Sequence, residues 1–432
     1  MQVSVETGDG LVRQLRVELP ADQIEQEIDK RLRDFARSAR LPGFRPGKVP
    51  MKILRQRYGE SVRGEVFGEK VQTSFPQAVA EAELRPAGMP EIEADIDEAS
   101  GRYGYVAKFE VLPQIELGSL DGKSITRPVA EVAEADVDKM IERLREQRKT
   151  WQTVERPAAD GDRVKVSFQG TIDGEPFDGG SADDVGVELG SGRMIPGFEE
   201  QLQGAGAGDE RVVEVTFPED YQSKDLAGKP ARFDVQVKEV QEPVLPSLDA
   251  DFVSAFGVAD GDLDRFRADV RGNMERELAQ RIKAKVKNQV MDLLIDVNPI
   301  ELPDVLVSQE VEVLKEQTRQ GIGGGRFELP DELFTESARR RVALGLIVAE
   351  LVKRHNLKAD AEQVRAAVEE LAATYEDPQS VIDFYYADRQ RLSSVESLVL
   401  EDRVVEHVLG EVEVTDEQTA FDELTQSAQS GP

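Results

Sequence analysis

Ten cations stand between Lys30 and Arg57, with one acid, Asp34, among them. That window carries +9 while the chain carries −31, so the remainder carries −40. At its centre lies Leu41-Pro-Gly-Phe-Arg-Pro-Gly-Lys-Val-Pro50, a glycine- and proline-punctuated loop presenting Phe44, Arg45 and Lys48. A reversal of sign on this scale is the footprint of an anionic partner, with nucleic acid the first candidate. Phenylalanine beside arginine on a projecting tip suits a mixed RNA and protein surface, because aromatics stack and guanidinium takes phosphate. A second set of residues is apolar: Phe168, Phe177, Met194, Ile195, Phe198, Tyr221 and Phe233, with Asp178 among them. Composition alone reads these as the core of a small barrel.

Other chemistries are excluded. The chain has no cysteine, so disulfides, zinc–thiolate sites and cysteine nucleophiles are absent, which suits a reducing cytoplasm. The two histidines, His355 and His407, are far apart in sequence and read as surface or helix-end residues. Nothing near them has ligand spacing, so neither a metal nor a cofactor is expected. Gly204-Ala-Gly-Ala-Gly208 runs into Asp209-Glu210, which would repel phosphate, and it precedes a strand. Gly321-Ile-Gly-Gly-Gly325 lacks the Lys-Ser/Thr of a phosphate loop; both segments read as turns. No run of about eighteen apolar residues exists, so no membrane helix is expected. The first residues lack a basic and then apolar leader, so no signal peptide is expected either.

The elements that position these residues follow from periodicity. Leu15, Val17 and Leu19 alternate with polar neighbours and predict a strand. A helix after Pro20 carries the stripe Ile24, Ile28, Leu32, Phe35 and Ala39, ends at Pro42-Gly43, and resumes from Pro50 to about Gly59. A third helix is expected over 65–84, then a strand through Tyr103, Tyr105, Ala107, Phe109 and Val111. The 129–149 segment is helical and leads to Trp151, with Pro157–Gly161 as a boundary. Strand patterns through Val164–Phe168, Val213–Phe217 and Phe233–Val237, with a short helix after Pro196-Gly197, define a β-rich domain. Helical runs follow over 261–296, 303–320, 331–356, 360–374 and 378–409. The stripe Leu333, Phe334, Val342, Leu346 and Val352 reads as mostly core, and the acidic end from about 415 as frayed.

The order of the apolar set carries a resemblance. Val-Ser-Phe-Gln-Gly170, Gly-Glu-Pro-Phe-Asp-Gly-Gly180, Gly190-Ser-Gly-Arg-Met-Ile-Pro-Gly-Phe-Glu199, Phe217-Pro-Glu-Asp-Tyr221 and Phe233-Asp-Val-Gln-Val237 resemble the FK506-binding-protein family of prolyl isomerases. The resemblance implies a bent antiparallel sheet wrapped on a short helix. Phe198 would floor an apolar proline pocket, Phe168, Phe177, Met194, Ile195, Tyr221 and Phe233 would line it, and Asp178 would set its polar edge. Leu226 would add a wall, and the 182–187 stretch departs from the family in offering Val185 and Val187 where relatives often add an aromatic. Prolyl rotation faces a barrier of about 18–20 kcal/mol, because the twisted amide loses resonance. An apolar pocket that favours the twisted form, with a few donors, suffices without nucleophile or metal.

Over its full length the chain resembles the bacterial trigger factor family. The resemblance rests on Met-Gln-Val-Ser-Val-Glu-Thr, Gly-Phe-Arg-Pro-Gly-Lys-Val-Pro50, Gln56-Arg-Tyr-Gly59, the isomerase-like insert, Asn273-Met-Glu-Arg-Glu-Leu278 and Tyr375-Glu-Asp-Pro378. Pro46 departs from a basic residue common in relatives. The implied architecture is an α+β multidomain chain: an α+β ribosome-binding domain (1–112), a linker helix packing with the C-terminal domain (113–149), an isomerase domain (150–243), and an all-α region with two arms (244–432). The implied function is an ATP-independent, cytoplasmic, ribosome-associated chaperone with prolyl isomerase activity. Its implied partners are ribosomal protein and rRNA of the large subunit beside the tunnel exit, through Gly43, Phe44, Arg45, Pro46, Gly47 and Lys48, and unfolded nascent chains. No membrane contact is expected, and off the ribosome a weak homodimer is. Two alternatives stay open at this point: a free isomerase whose helices recruit substrate, and an RNA-binding protein with salt-sensitive affinity.

Overall fold

The computed structural model describes residues 1–38, 49–97, 102–321, 329–373, 375 and 377–426. The expected docking loop, Gly43–Lys48, lies outside the described residues. The chain forms two compact units, one of Met1–Arg127 with Ala284–Glu417, the other of Pro128–Lys283 with the residues from Gln418 on.

The first unit begins with β1 (Gln2–Thr7), β2 (Val12–Leu19), α1 (Ala21–Ser38), α2 (Met51–Glu81), β3 (Glu91–Asp97) and β4 (Arg102–Glu110). The sheet is antiparallel in the order β1-β2-β4-β3, with Leu15 opposite Ala107 and Val17 opposite Tyr105. Sequence alternation identified β2 and β4 but not their edge partners, whose side chains are mostly exposed and lack a buried period. In α1, Ile24, Ile28 and Leu32 are buried at helical spacing, and Phe35 leans on Tyr58 at 4.8 Å. The two expected helices 50–59 and 65–84 are one continuous helix, α2, running through Gly59 and Pro76. Burial of Leu54, Val62, Val66, Phe67 and Val71 outweighs the roughly 1 kcal/mol that an interior glycine costs.

The chain continues through β5 (Ser124–Val129) and α3 (Glu134–Gln147) to the sheet of the second unit. That sheet consists of β6 (Thr150–Val154), β7 (Arg163–Ile172), β8 (Glu175–Glu188), β9 (Glu210–Thr216) and β10 (Pro230–Val244), with α4 (Phe198–Leu202) against it. The long β10 pairs with β7 on one side and with β9, then β6, on the other; all pairings are antiparallel. A register shift between Val237 and Glu239 bends it, so one strand serves two neighbours. Pro157–Gly161 is therefore an internal connection, because β6 already belongs to the sheet; Ala158 is buried and donates its N–H to Ala205.

Helices complete the chain: α5 (Ala250–Ser254), α6 (Leu263–Val297), α7 (Asp304–Gly321), α8 (Glu332–His355), α9 (Ala361–Ala372), α10 (Pro378–Tyr386) and α11 (Arg389–Glu411), then β11 (Glu413–Gln418) and α12 (Phe421–Gln426). The expected 378–409 helix is two, because Asp388 turns its carboxylate to the Gln390 N–H and starts α11 afresh. In the second unit α3, α5, the first half of α6 and α12 share a core that includes Ile141, Phe252, Phe266 and Phe421. In the first, α7 packs on α8 and α9 on α11 through small separate cores. The end expected to fray instead forms β11 and α12. β11 pairs with β5, and Phe421 and Leu424 are buried, giving an acidic segment two apolar anchors. Leu333 departs from its expected core stripe and is 69% exposed, while Phe334 and Val342 pack inward.

Candidate functional site

Strand register gathers the apolar set. Phe168 on β7 lies opposite Val235 on β10, two residues from Phe233. The left-handed Gly197 (φ 86°) turns the chain so that Phe198, the first residue of α4, points under the sheet. Phe198 is fully buried, and its ring meets Phe233 at 5.3 Å and Phe168 at 5.7 Å; those two stand 5.7 Å from each other. All three contacts are edge-to-face, the geometry in which the positive rim of one ring meets the negative face of the next. Phe177 on β8 extends the cage, 6.0 Å from Phe233 and 5.8 Å from Phe217, and Phe217 carries Tyr221 at 4.8 Å.

The rings surround a cavity of about 1090 Å³. Phe168, Phe177, Asp178, Met194, Ile195, Phe198, Tyr221 and Phe233 all line it, as do Leu226 and Phe217. Every residue of the expected pocket is thus on one cavity wall. The 182–187 stretch is not: it pairs with β7, and Val187 turns into the core. Two glycines make room. A Cβ on Gly180 would stand 2.8 Å from the Phe177 ring, and one on Gly170 would stand 2.5 Å from the Phe233 ring.

Glu199 closes the Met-Ile-Pro-Gly-Phe-Glu motif, whose sequence assigns it no role. It is buried, and its carboxylate accepts from the backbone N–H groups of Met194 (3.0 Å) and Gly192 (3.0 Å) and from the Ser191 hydroxyl (3.1 Å). Burial alone would push this carboxyl up; those donors, Met194 first, outweigh it and hold it below the usual carboxylate range. Glu199 therefore anchors the loop that delivers Met194 and Ile195 to the cavity. The signal was available: an acid beside a buried ring, one residue into a short helix. Asp162 is the sheet's other buried acid. Its burial too is outweighed, here by Arg156 and the Ala159 N–H, and its carboxyl is lowered.

The basic segment is less bare than its charge count. Arg31 pairs with Glu27 and Glu69, Lys30 with Glu27, and Arg55 with Glu25 and Asp29, all acids outside the 30–57 window or at its margin in space. The histidines also differ from expectation. His355 and His407, read as distant and without ligand spacing, have ring centroids 4.1 Å apart, because α8 ends beside the last turns of α11. His407 and Glu411 are one helical turn apart, a ligand spacing overlooked in the sequence.

An aromatic cage on a bent antiparallel sheet, floored from a short helix, is the architecture of one isomerase class. Residues 154–238 match the model of FKBP-type peptidyl-prolyl cis-trans isomerases, so this domain is an isomerase domain of that type. The flanking sequence is equally informative. Residues 1–144 match the model described as bacterial trigger factor protein, and 262–410 match that of its C-terminus. Trigger factors of Azotobacter vinelandii and Pseudomonas aeruginosa are each 50% identical over 432 residues, and that of Thioalkalivibrio sulfidiphilus is 48% identical over 433 residues; each match covers 100% of this chain and 99% of the relative. A solved trigger factor chaperone has the same fold (TM-score 0.51, 21% identity, 96% of this chain and 100% of that one). The chain belongs to the trigger factor family. It is accordingly a ribosome-associated chaperone with peptidyl-prolyl isomerase activity, and the reading of a free isomerase without ribosome binding gives way.

Proposed function

We propose that the cavity floored by Phe198 is the isomerase active site. The carrying observation is that all eight expected residues, from three strands, two loops and a short helix, line one aromatic-walled cavity. A proline ring sits against Phe198, Phe168 and Phe233. Met194 and Ile195 cover the flanking residue, and Phe177 closes the side. Tyr221, part-exposed at the mouth, offers a hydroxyl to the displaced carbonyl, and Asp178 supplies the polar edge. Catalysis comes from favouring the twisted amide, which has lost resonance and is less polar than the planar forms. No metal or nucleotide takes part.

The other parts act by placement. Residues 1–112 dock beside the tunnel exit of the large subunit, touching ribosomal protein and rRNA through Gly43–Lys48. The 113–149 segment joins the helical region, 150–243 holds the active site, and 244–432 forms the body and arms. No described helix is long and apolar enough to cross a membrane. As a ribosome-associated chaperone, the protein works in the cytoplasm. Leu371, Tyr375, Phe384, Tyr386 and Leu398 are exposed apolar residues suited to transient contact with unfolded chains. Off the ribosome the same residues support weak self-association.

The test of the active site is kcat/KM on a Xaa-Pro peptide. Phe198→Ala is expected to lose tenfold or more, about 1.4 kcal/mol of transition-state stabilisation. Circular dichroism checks that the domain still folds, and Tyr221→Phe, which spares the core, is expected to lose a smaller share. Full activity in both variants would overturn the assignment.

A further inference from the structure

The chain holds two histidines, and the fold places them together. His355 is the last residue of α8; Glu411 is the last residue of α11, and His407 precedes it by one turn. Two residues at that spacing leave the same helix face. Nε2 of His407 is 3.3 Å from Oε1 of Glu411, is shielded from solvent, and has no hydrogen-bond partner. One nitrogen from each imidazole and one carboxylate oxygen all lie within 4.8 Å of one another. All three residues belong to one compact unit.

The geometry suits a shared ion. With tetrahedral bonds of about 2.0–2.1 Å, ligand atoms stand roughly 3.4 Å apart. His355 and Glu411 are exposed, so small side-chain rotations bring the set to that spacing. The electrostatics agree. Two helices end here, and each carboxyl end carries partial negative charge from unpaired carbonyls. Glu411 adds a full one. Lys353, in the last turn of α8, is turned to Glu350. The two rings are in contact and the shielded Nε2 of His407 has no hydrogen-bond partner, an arrangement that a shared divalent cation resolves.

We propose that His355, His407 and Glu411 form a binding site for a divalent transition-metal ion of the Zn²⁺ type, with water completing the coordination. Imidazole and carboxylate together suit zinc, cobalt or nickel, whereas Mg²⁺ and Ca²⁺ prefer all-oxygen sets. Occupancy ties the end of α8 to the end of α11. The site lies outside the isomerase domain and is independent of its chemistry.

The experiment uses the full-length chain without an added histidine tag, titrated with Zn²⁺ against a chromogenic chelator. One ion per chain is expected, with affinity falling roughly tenfold or more in His355→Ala and in His407→Ala. Having two histidines, the chain gives two imidazole Hε1 proton signals, and both are expected to shift together and saturate at one equivalent. Zn²⁺ raises Tm in the wild type, a chelator reverses it, and Mg²⁺ does neither. Exposed His355 is the variant that spares the core, and circular dichroism checks its fold. Absence of stoichiometric binding, or imidazole signals that do not move, would overturn the proposal. So would equal affinity in His355→Ala, which would assign the ion to surface carboxylates.

Discussion

The isomerase domain and the α9–α11 region use the same residue types in opposite ways. In the sheet domain, Phe198 and Phe233 are buried by strands far apart in sequence and frame one cavity. In the helical region, Phe384 is 53% exposed and Tyr375 61%, and α10 buries none of its residues. One region packs its aromatics edge-to-face around one cavity. The other leaves them largely in solvent, Tyr375 between α9 and α10 and Phe384 on α10 with Arg391 stacked over its ring at 3.7 Å. The difference teaches how one chain holds two activities. Catalysis needs fixed geometry about one bond, whereas holding unfolded chains needs apolar surface that accepts many shapes.

The strongest way to break that contrast is to disturb the frame without touching a ring. Gly180→Val places side-chain atoms where the Phe177 ring stands, since even a Cβ would come within 2.8 Å. A displaced wall is expected to lower kcat/KM on a proline peptide by ten- to a hundredfold, with ribosome co-sedimentation unchanged. Next in size is docking. Replacing Phe44, Arg45 and Lys48 together by alanine is expected to weaken ribosome association about 30-fold, roughly 2 kcal/mol, and to leave peptide isomerisation intact. Retained co-sedimentation would remove the loop from the account.

A smaller effect is expected in the helical region. Phe384→Ser with Tyr386→Ser should weaken the hold on a reduced, unfolded client several-fold, with Tm little changed because neither residue is in a core. Equal loss of Tm and client binding would mean that these residues are structural. The smallest effect concerns acid. Glu199 and Asp162 have folded pKa values below their unfolded ones, so they stabilise the domain above the unfolded carboxylate range, near pH 4. That stability is lost as pH falls through the folded values. Trp151, the chain's one tryptophan, sits on β6 and reports this domain's unfolding by fluorescence. In Glu199→Gln the urea midpoint is expected to be lower at neutral pH and to fall less steeply below pH 4. An unchanged slope would detach Glu199 from the fold's acid sensitivity.

Much of this was legible in the residues, and the failures have physical causes. Alternation marked β2, β4, β7, β9 and β10, because those strands have one buried face. It missed β1 and β3, edge strands whose side chains are mostly in water. Gly59 read as a helix end, yet packing of Val62, Val66 and Phe67 carries α2 through it. Asp388 between α10 and α11 is a capping residue hidden in a helical pattern. The pocket was legible because its motif order is dense; Glu199 escaped because two of its three donors are backbone N–H groups, which have no letter, leaving only its place beside Phe198 and the Ser191 hydroxyl to mark it. The +9 window was overcounted, since Glu25 and Glu69 reach it only in three dimensions. The histidine pair was invisible for the same reason, α8 and α11 being brought together by the fold.

The central claim is that isomerisation belongs to the cage and ribosome binding does not. The most direct measurement takes full-length Phe177→Ala and reads kcat/KM on a Xaa-Pro peptide beside ribosome co-sedimentation in the same preparation. The account predicts a loss of tenfold or more in the first and no change in the second. Isomerisation at the wild-type rate, or a parallel loss of both, would contradict it.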